Sequence, residues 1–189
     1  MSLKTIVKVN HISNLSDARY CAGMGVDMLG VGAVPSSANY LAPGLFQDIR
    51  GWIAGPKIVA EICGVSNEEE VLVAVESYAP DVVELTLAEY RKFGALLTLP
   101  CIVRLEGGDI PVTQPHSEKI LYYIADEATP CLESPGAASL LVQVTSVRSL
   151  HEKLAMKCFK GVVLEGPQPL RPGITNYDQL GDLLEALEE

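Results

Sequence analysis

The chain is poor in the residues that build metal sites and disulfide frameworks. It has three histidines and five cysteines among 189 residues. The cysteines form no CxxC pair and are scattered along the chain. An odd number of dispersed cysteines predicts reduced thiols, several of them buried as small hydrophobic side chains, and makes a zinc site improbable. We therefore expect neither a metal nor a cofactor.

Basic residues and long apolar runs are also scarce. Lysine and arginine together number 14 against 24 acidic residues, for a formal net charge of −10. A general nucleic-acid binder needs a basic surface, so this balance argues against one, although a local phosphate site stays compatible with it. No apolar run approaches the ~20 residues of a membrane helix, and the N-terminal segment lacks a signal peptide's apolar stretch. We expect a cytoplasmic protein with no nucleic-acid or membrane partner.

What the sequence does contain is short apolar segments that alternate with amphipathic ones. The apolar segments predict eight strands, at residues 5–10, 28–33, 57–63, 82–86, 101–106, 120–126, 139–144 and 161–165. The amphipathic segments predict helices at residues 15–24, 43–53, 67–78, 88–97, 146–158 and 176–188. Strands rich in Val, Ile and Leu with few polar breaks are typical of a parallel sheet covered on both faces.

Eight strands in this order predict an α/β fold, a single small (β/α)₈ TIM barrel over residues 1–189. A doubly wound open sheet is the alternative, but it usually has a glycine-rich loop after its first strand, and here that loop is NHISN. The connections at residues 107–119 and 127–138 lack helical periodicity. Helices five and six are therefore expected to be short or missing.

An internal repeat supports the barrel and aligns two charged residues. Residues 4–14 (KTIVKVNHISN) resemble residues 57–67 (KIVAEICGVSN), so Lys8 matches Glu61. Other ionisable residues also interrupt apolar strands, namely Glu84, Arg104, Asp126 and Glu165. Two interpretations are open. These residues form a ring at the barrel mouth in which Lys8 and Arg104 bind an anionic substrate, or they form an internal salt-bridge layer that only holds the barrel together.

Several segments resemble those of one enzyme family. They are Lys8–Ser13 followed by Gly25–Gly30, then Ser37–Pro43, Pro80–Leu85 and Arg171–Asn176. In order and spacing they are similar to phosphoribosylanthranilate isomerase, the small barrel enzyme of tryptophan biosynthesis. The resemblance is strongest at residues 4–45 and 161–188 and weak at residues 107–145. It implies a TIM barrel and an isomerase of the Amadori type.

The resemblance also assigns roles, and some of them fall on altered residues. The family's general base, a cysteine, is replaced by Asn10, and its substrate-engaging arginine by Asn39. An amide cannot accept a proton at neutral pH. The family's general acid is matched by Asp126. We expect Asp126 to be catalytic, and Arg104, Glu165, Asn39 and Lys8 to bind substrate.

Two residues could replace the missing base. Cys63 ends the third strand at the repeat-equivalent position of Asn10. His11 titrates near neutrality, but strand alternation predicts that it points outward, as a capping or surface residue. For phosphate, Thr145 and Ser146 open a helix after strand seven and Gly166 follows strand eight. These three are the expected phosphate-binding residues.

Three functions remain open. The first interpretation is a phosphoribosylanthranilate isomerase-like barrel that is not a competent isomerase and that binds or processes a small metabolite, phosphorylated or not. The second is an active isomerase with a relocated base, and the third is a non-catalytic scaffold or interaction protein. Fold alone does not decide among them. A homodimer is a further open expectation, because missing helices would expose apolar flanks.

Overall fold

The protein forms a closed barrel of eight parallel strands, each paired with the next along the chain. The computed structural model describes residues 3–107, 109, 117–129, 139–171 and 174–188. The barrel strands are β1 (Ile6–Asn10), β2 (Met28–Gly32), β3 (Lys57–Glu61), β4 (Val82–Thr86), β5 (Cys101–Arg104), β6 (Ile120–Ala125), β7 (Ser139–Gln143) and β8 (Phe159–Glu165). Strand β1 closes the barrel by pairing with β8, from Ile6 opposite Gly161 to Asn10 opposite Glu165. The predicted (β/α)₈ barrel is confirmed.

Six α-helices cover the outside of the described barrel. They are α1 (Leu15–Gly23), α2 (Pro43–Arg50), α3 (Glu68–Tyr78), α4 (Leu87–Phe93), α5 (Val147–Ala155) and α6 (Asp178–Glu185). Asn14 caps α1 by accepting a hydrogen bond from the Asp17 amide at 3.0 Å, because its short side chain satisfies a free amide of the first turn. All six predicted helices are present. No helix among the described residues is long and apolar enough to cross a membrane.

The expectation that helices five and six are short or missing concerns two connections, on either side of β6, that are described only in part. Between β5 and β6 the described residues include a 3₁₀ turn at Ser117–Lys119. Most of the remaining residues of these two connections, 108, 110–116 and 130–138, lie outside the described part of the chain.

The eighth connection contains a hairpin that the sequence did not predict. Strand β9 (Gln168–Arg171) pairs antiparallel with β10 (Ile174–Asn176) between β8 and α6. Residues 172 and 173, between these two strands, lie outside the described residues. The last helix begins at Asp178, two residues later than expected, and Asn176 accepts a hydrogen bond from the Asp178 amide at 2.7 Å.

The barrel interior has an apolar layer beneath a polar one. The apolar layer consists of Met28, Val59, Val82, Ile102, Ile124, Leu141 and Val163. Because alternate residues of a strand share a face, the next inward position on each strand lies two residues nearer the carboxyl end. On β3, β4, β5, β7 and β8 those positions are Glu61, Glu84, Arg104, Gln143 and Glu165. The strand register therefore collects charged side chains at the carboxyl-terminal mouth.

Barrel closure predicts a strict requirement at Gly161. A Cβ at this position would lie 2.2 Å from the Ile6 carbonyl oxygen, which belongs to the paired strand backbone. We expect Gly161→Ala to destabilise the fold by about 2 kcal/mol or more, because the β1–β8 pairing must open to relieve the clash. The measurement is urea denaturation followed by circular dichroism. Gly23→Ala is the matched control, since its Cβ would meet nothing within 4 Å, and an equal loss in both variants would contradict the prediction.

Candidate active site at the barrel mouth

The centre of the polar layer is the ammonium group of Lys8, which is fully buried on β1. Its Nζ donates a hydrogen bond to Glu61 Oε1 at 2.8 Å and forms an ion pair with Glu84 Oε2 at 2.7 Å. It also donates to the side-chain oxygen of Asn10. Three oxygens thus surround one buried charge. An unpaired ammonium here would cost several kcal/mol, so these partners are a condition for folding.

Glycine on β2 makes the space for this pair. A Cβ on Gly30 would lie 2.0 Å from Glu61 Oε1 and 2.8 Å from Lys8 Nζ. Any side chain at this position would therefore displace the ion pair.

Hydrogen bonds close the polar layer into a ring. Arg104 donates from Nη2 to Glu84 Oε1 at 2.7 Å and from Nη1 to Gln143 Oε1 at 2.9 Å. Gln143 Nε2 donates to Glu165 Oε1 at 2.7 Å, and Asn10 Nδ2 donates to the same oxygen at 3.3 Å. Since Asn10 also accepts from Lys8, the chain of contacts returns to its start. These hydrogen bonds hold each side chain of the ring in a defined position.

The ring fixes the protonation states of its members. Burial raises the pKa of Glu84, but the charges of Lys8 and Arg104 outweigh burial and hold it at about 2. Burial lowers the pKa of Lys8, yet Glu61 and Glu84 raise it above the usual lysine value. Burial also opposes the charge of Arg104, and Glu84 again reverses the effect. These three groups are therefore charged across the physiological pH range.

His11 lies on the ring rather than outside it. Its backbone φ of 55° is left-handed, which is uncommon for a residue other than glycine, and it interrupts strand alternation directly after β1. Its Nδ1 lies 2.7 Å from Glu165 Oε2, and its backbone amide donates to Glu61 Oε2 at 3.3 Å. The outward orientation predicted from alternation is therefore wrong, because the alternation ends one residue earlier. His11 and Glu165 are 32% and 35% exposed and are accessible from the mouth.

Protonation of His11 balances the charges of the ring. Burial lowers the pKa of His11, but the hydrogen bond to Glu165 and the charges of Glu61 and Glu165 outweigh burial and hold that pKa above 6.5. The hydrogen bond from His11 in turn lowers the pKa of Glu165. With an imidazolium, three cations face the three carboxylates of Glu61, Glu84 and Glu165. With a neutral imidazole one negative charge is uncompensated.

The other expected catalytic and substrate-binding residues lie around the ring. Asp126 follows β6 and is exposed, two residues beyond Ile124 of the apolar layer. Asn39 is exposed on the loop between β2 and α2. Cys63 is partly buried after β3, and burial, followed by the charge of Glu84, raises the pKa of its thiol far above neutrality. The Cys63 thiolate that a general base would require is therefore disfavoured.

Two of the three expected phosphate-binding residues border a small cavity that also reaches Glu165 of the ring. It has a volume of about 120 Å³ and is lined by Thr145 and Gly166, with Glu165 at one side. Thr145 donates its hydroxyl to Glu127 at 2.9 Å, and Ser146 caps α5 by accepting from the Ser149 amide. A Cβ on Gly166 would lie 2.5 Å from the Asn10 carbonyl oxygen, so glycine is needed where β8 leaves the barrel. Binding of phosphate by these residues stays a prediction.

The cysteines match the expectation in part. Cys21, Cys63 and Cys101 are free, as predicted. Cys158 is disulfide-bonded, which departs from the expectation of reduced thiols, and Cys131 lies outside the described residues. In the described part of the chain, no group of three or more His, Cys, Asp or Glu side chains could hold a metal ion.

The sequence analysis missed two site residues and misplaced a third. Gln143 lies two residues after Leu141, so the inward register of β7 would have identified it. Gly30 was quoted for the resemblance alone, and its role depends on a side chain from β3. The position of His11 depends on a left-handed backbone conformation that no sequence pattern here indicated.

Comparison with solved structures identifies the fold. Phosphoribosyl anthranilate isomerase from Thermus thermophilus superposes with a TM-score of 0.70 at 20% identity, over 96% of this chain and 98% of its own. TrpF from Jonesia denitrificans gives a TM-score of 0.74 at 12% identity, over 97% and 96% of the two chains. This protein has the phosphoribosylanthranilate isomerase fold.

One more structure of this kind holds a ligand. A phosphoribosyl anthranilate isomerase in complex with reduced 1-(o-carboxyphenylamino)-1-deoxyribulose 5-phosphate superposes with a TM-score of 0.69 at 14% identity, over 97% of this chain and 98% of its own. No protein-family model matches the sequence, and no curated protein matches it. The likeness to phosphoribosylanthranilate isomerase is therefore one of fold and of chain length.

Removal of the central cation tests whether the ring holds the barrel together. We expect Lys8→Met to destabilise the protein by about 3–5 kcal/mol, because Glu61 would lose its buried counter-ion and Glu84 would keep only Arg104. Urea denaturation at pH 7 measures the loss. Arg148→Met is the control, since its pair with Glu152 is exposed to solvent and should contribute little to stability. Equal effects of the two substitutions would show that the Lys8 pair has no structural importance.

The position of His11 predicts a pH dependence of stability. Its pKa is raised in the folded protein, so its stabilising charge is fully present below about pH 6.5 and is lost as pH rises through the higher folded value. We expect the difference in unfolding free energy between the wild type and His11→Gln to be larger at pH 6 than at pH 9. Urea midpoints of both proteins at each pH give this difference. A difference that does not change with pH would exclude an imidazolium at this site.

Proposed function

We propose that this protein is a phosphoribosylanthranilate isomerase-like barrel that does not catalyse the Amadori rearrangement and that binds or processes a small metabolite at its mouth. The observation that carries the proposal is the hydrogen bonding of the Asn10 side chain. This residue occupies the position that the resemblance gives to the catalytic base. Its side chain accepts from Lys8 and donates to Glu165, so it acts as a link in the ring. An amide in this role has no basic site for a substrate proton.

The substitutes for the base are poorly suited to that role. The raised pKa of the Cys63 thiol keeps it protonated, and the raised pKa of His11 favours an imidazolium that donates to Glu165. An imidazolium can act as a general acid but not as a general base. Asp126, the residue matched to the family's acid, would then lack a complementary base. This arrangement favours loss of the isomerase over relocation of its base.

The exposed edges of the ring favour ligand binding over a scaffold. His11 and Glu165 are accessible at the mouth, and buried partners hold both in fixed positions. A structure of the same fold contains a phosphorylated ligand, which supports a sugar phosphate as one class to test. The carboxylates of Glu165 and Glu127 near Thr145 would repel a phosphate, so unphosphorylated sugars belong to the same test.

Complementation of a tryptophan auxotroph that lacks this isomerase tests the loss of activity. We expect no growth from the wild-type gene, while a gene for an active isomerase in the same vector restores growth. Immunoblotting confirms that the protein is present. Growth that is restored by the wild type and lost in Asp126→Asn would overturn the proposal in favour of an active isomerase.

Thermal unfolding with a panel of sugar phosphates and free sugars tests binding. A ligand at about a hundred times its Kd should add about 2.7 kcal/mol of stability and raise Tm. We expect a ligand that raises Tm for the wild type to have little effect on Glu165→Gln. Glu68→Gln, an exposed change outside the mouth, is the control and should keep the response. A flat panel at millimolar concentrations would favour the scaffold instead. The homodimer stays a prediction that sedimentation velocity can check.

A further inference from the structure

A second cavity lies outside the barrel mouth, between the loop that follows β2 and helix α3. Its volume is about 280 Å³, close to the lower limit for small-molecule sites of roughly 300 Å³. None of the ring residues lines it. The cavity is thus separate from the mouth, and the proposed function does not use it.

The walls of this cavity are held in place by hydrogen bonds. The Tyr78 hydroxyl donates to the Leu41 carbonyl oxygen, which joins α3 to the loop. The Leu41 amide donates to the Gly32 carbonyl oxygen at 2.9 Å, and Gly32 also forms a β-bridge with Tyr40. Because these contacts bind the loop to both β2 and α3, a ligand would find the cavity already formed and would pay little to order it.

Most of the lining is apolar or aromatic. Val34, Pro35 and Pro43 come from the loop side and Val73 from α3. Tyr40 and Tyr78 add two aromatic rings. This surface suits the hydrocarbon part of a ligand.

The charged residues of the lining are both acidic. Glu69 and Glu70 lie in the first turn of α3 and border the cavity, and among the described residues no lysine, arginine or histidine lines it. Glu70 accepts hydrogen bonds from the Ser66 amide at 2.7 Å and from Asn67 Nδ2 at 3.1 Å. Glu69 has no hydrogen bond or ion pair among the described residues. The cavity therefore combines apolar walls with a carboxylate that a ligand can reach.

We propose that this cavity binds a small organic cation, an amine or quaternary ammonium group attached to an apolar body. The body packs against Val73 and the prolines, while the positive charge faces Glu69 and the tyrosine rings. Aromatic faces attract a cation through their quadrupole, and the carboxylate adds a direct charge interaction. An anion of the same shape would meet two carboxylates and no cation, so the site discriminates by charge.

Ligand titration followed by ¹H–¹⁵N NMR tests the proposal with defined probes. The probes are benzyltrimethylammonium, neutral benzyl alcohol and anionic phenylacetate, which share one aromatic ring. We expect the cation to shift amide signals in residues 33–43 and 65–78 and to bind most tightly. Phenylacetate should produce no saturable shift in these segments.

Two pairs of variants locate the binding site. Glu69→Gln should weaken binding of the cation about threefold to fivefold, as expected for one exposed charge interaction, while Glu68→Gln in the same turn should change it little. Val73→Arg should abolish binding, because it places a cation and a long side chain in the cavity. Leu72→Arg is its control, since Leu72 and Val73 are both 52% exposed but Leu72 does not line the cavity.

The proposal would be overturned by equal binding of the cation and the anion, by equal effects of the paired variants, or by shifts confined to the barrel mouth. It would be overturned equally if none of the three probes gave a saturable shift at millimolar concentration. These outcomes leave the proposed function of the mouth untouched, because the two sites share no residues.

Discussion

The buried ammonium of Lys8 is the constraint on which the upper half of the barrel depends. A lysine with no exposed surface needs counter-charges, and Glu61 and Glu84 supply them from the third and fourth strands. Each carboxylate then needs further partners. Glu84 is shared with Arg104, and Gly30 leaves the space in which Glu61 reaches Lys8. The burial of one charge thus explains which residue stands at one position on each of the strands β1 to β5.

This constraint also bears on what the mouth can do. Two interpretations of the strand charges were open, a functional ring or a structural layer, and the ring has features of both. Its lower members are buried and matched, so they stabilise the barrel, while His11 and Glu165 are accessible from the mouth. Asn10 connects the buried part of the ring to the accessible part. Its side-chain oxygen accepts a hydrogen bond from Lys8, and its Nδ2 donates one to Glu165. A cysteine at that position could not supply both the strong acceptor and the donor, so an amide suits this place in the ring better than a thiol.

The mouth and the outer cavity differ in whether cationic side chains neutralise their carboxylates. In the ring, buried cations neutralise the carboxylates. A ligand at the mouth would therefore meet a network with almost no net charge. In the cavity beside α3, the carboxylates lie in the first helical turn, where the positive end of the helix favours them. Within the described part of the chain, no cationic side chain lines this cavity. Because the ring is nearly neutral, almost all of the net charge of −10 lies on residues outside it.

The sequence by itself determined the eight strands, the six helices and the barrel, because hydrophobic periodicity and helix caps are local signals. The 53-residue repeat even aligned Lys8 with Glu61, which the structure brings to 2.8 Å. Local signals did not determine the hairpin at β9 and β10, because both strands are short and β9 contains Pro169, which argues against a strand. They could not place His11 either, since its left-handed backbone reverses the direction that alternation predicts. Only the tertiary structure decided which charges meet, because the contacts of Lys8, Arg104 and Glu165 join strands that are far apart in sequence and become neighbours when the barrel closes.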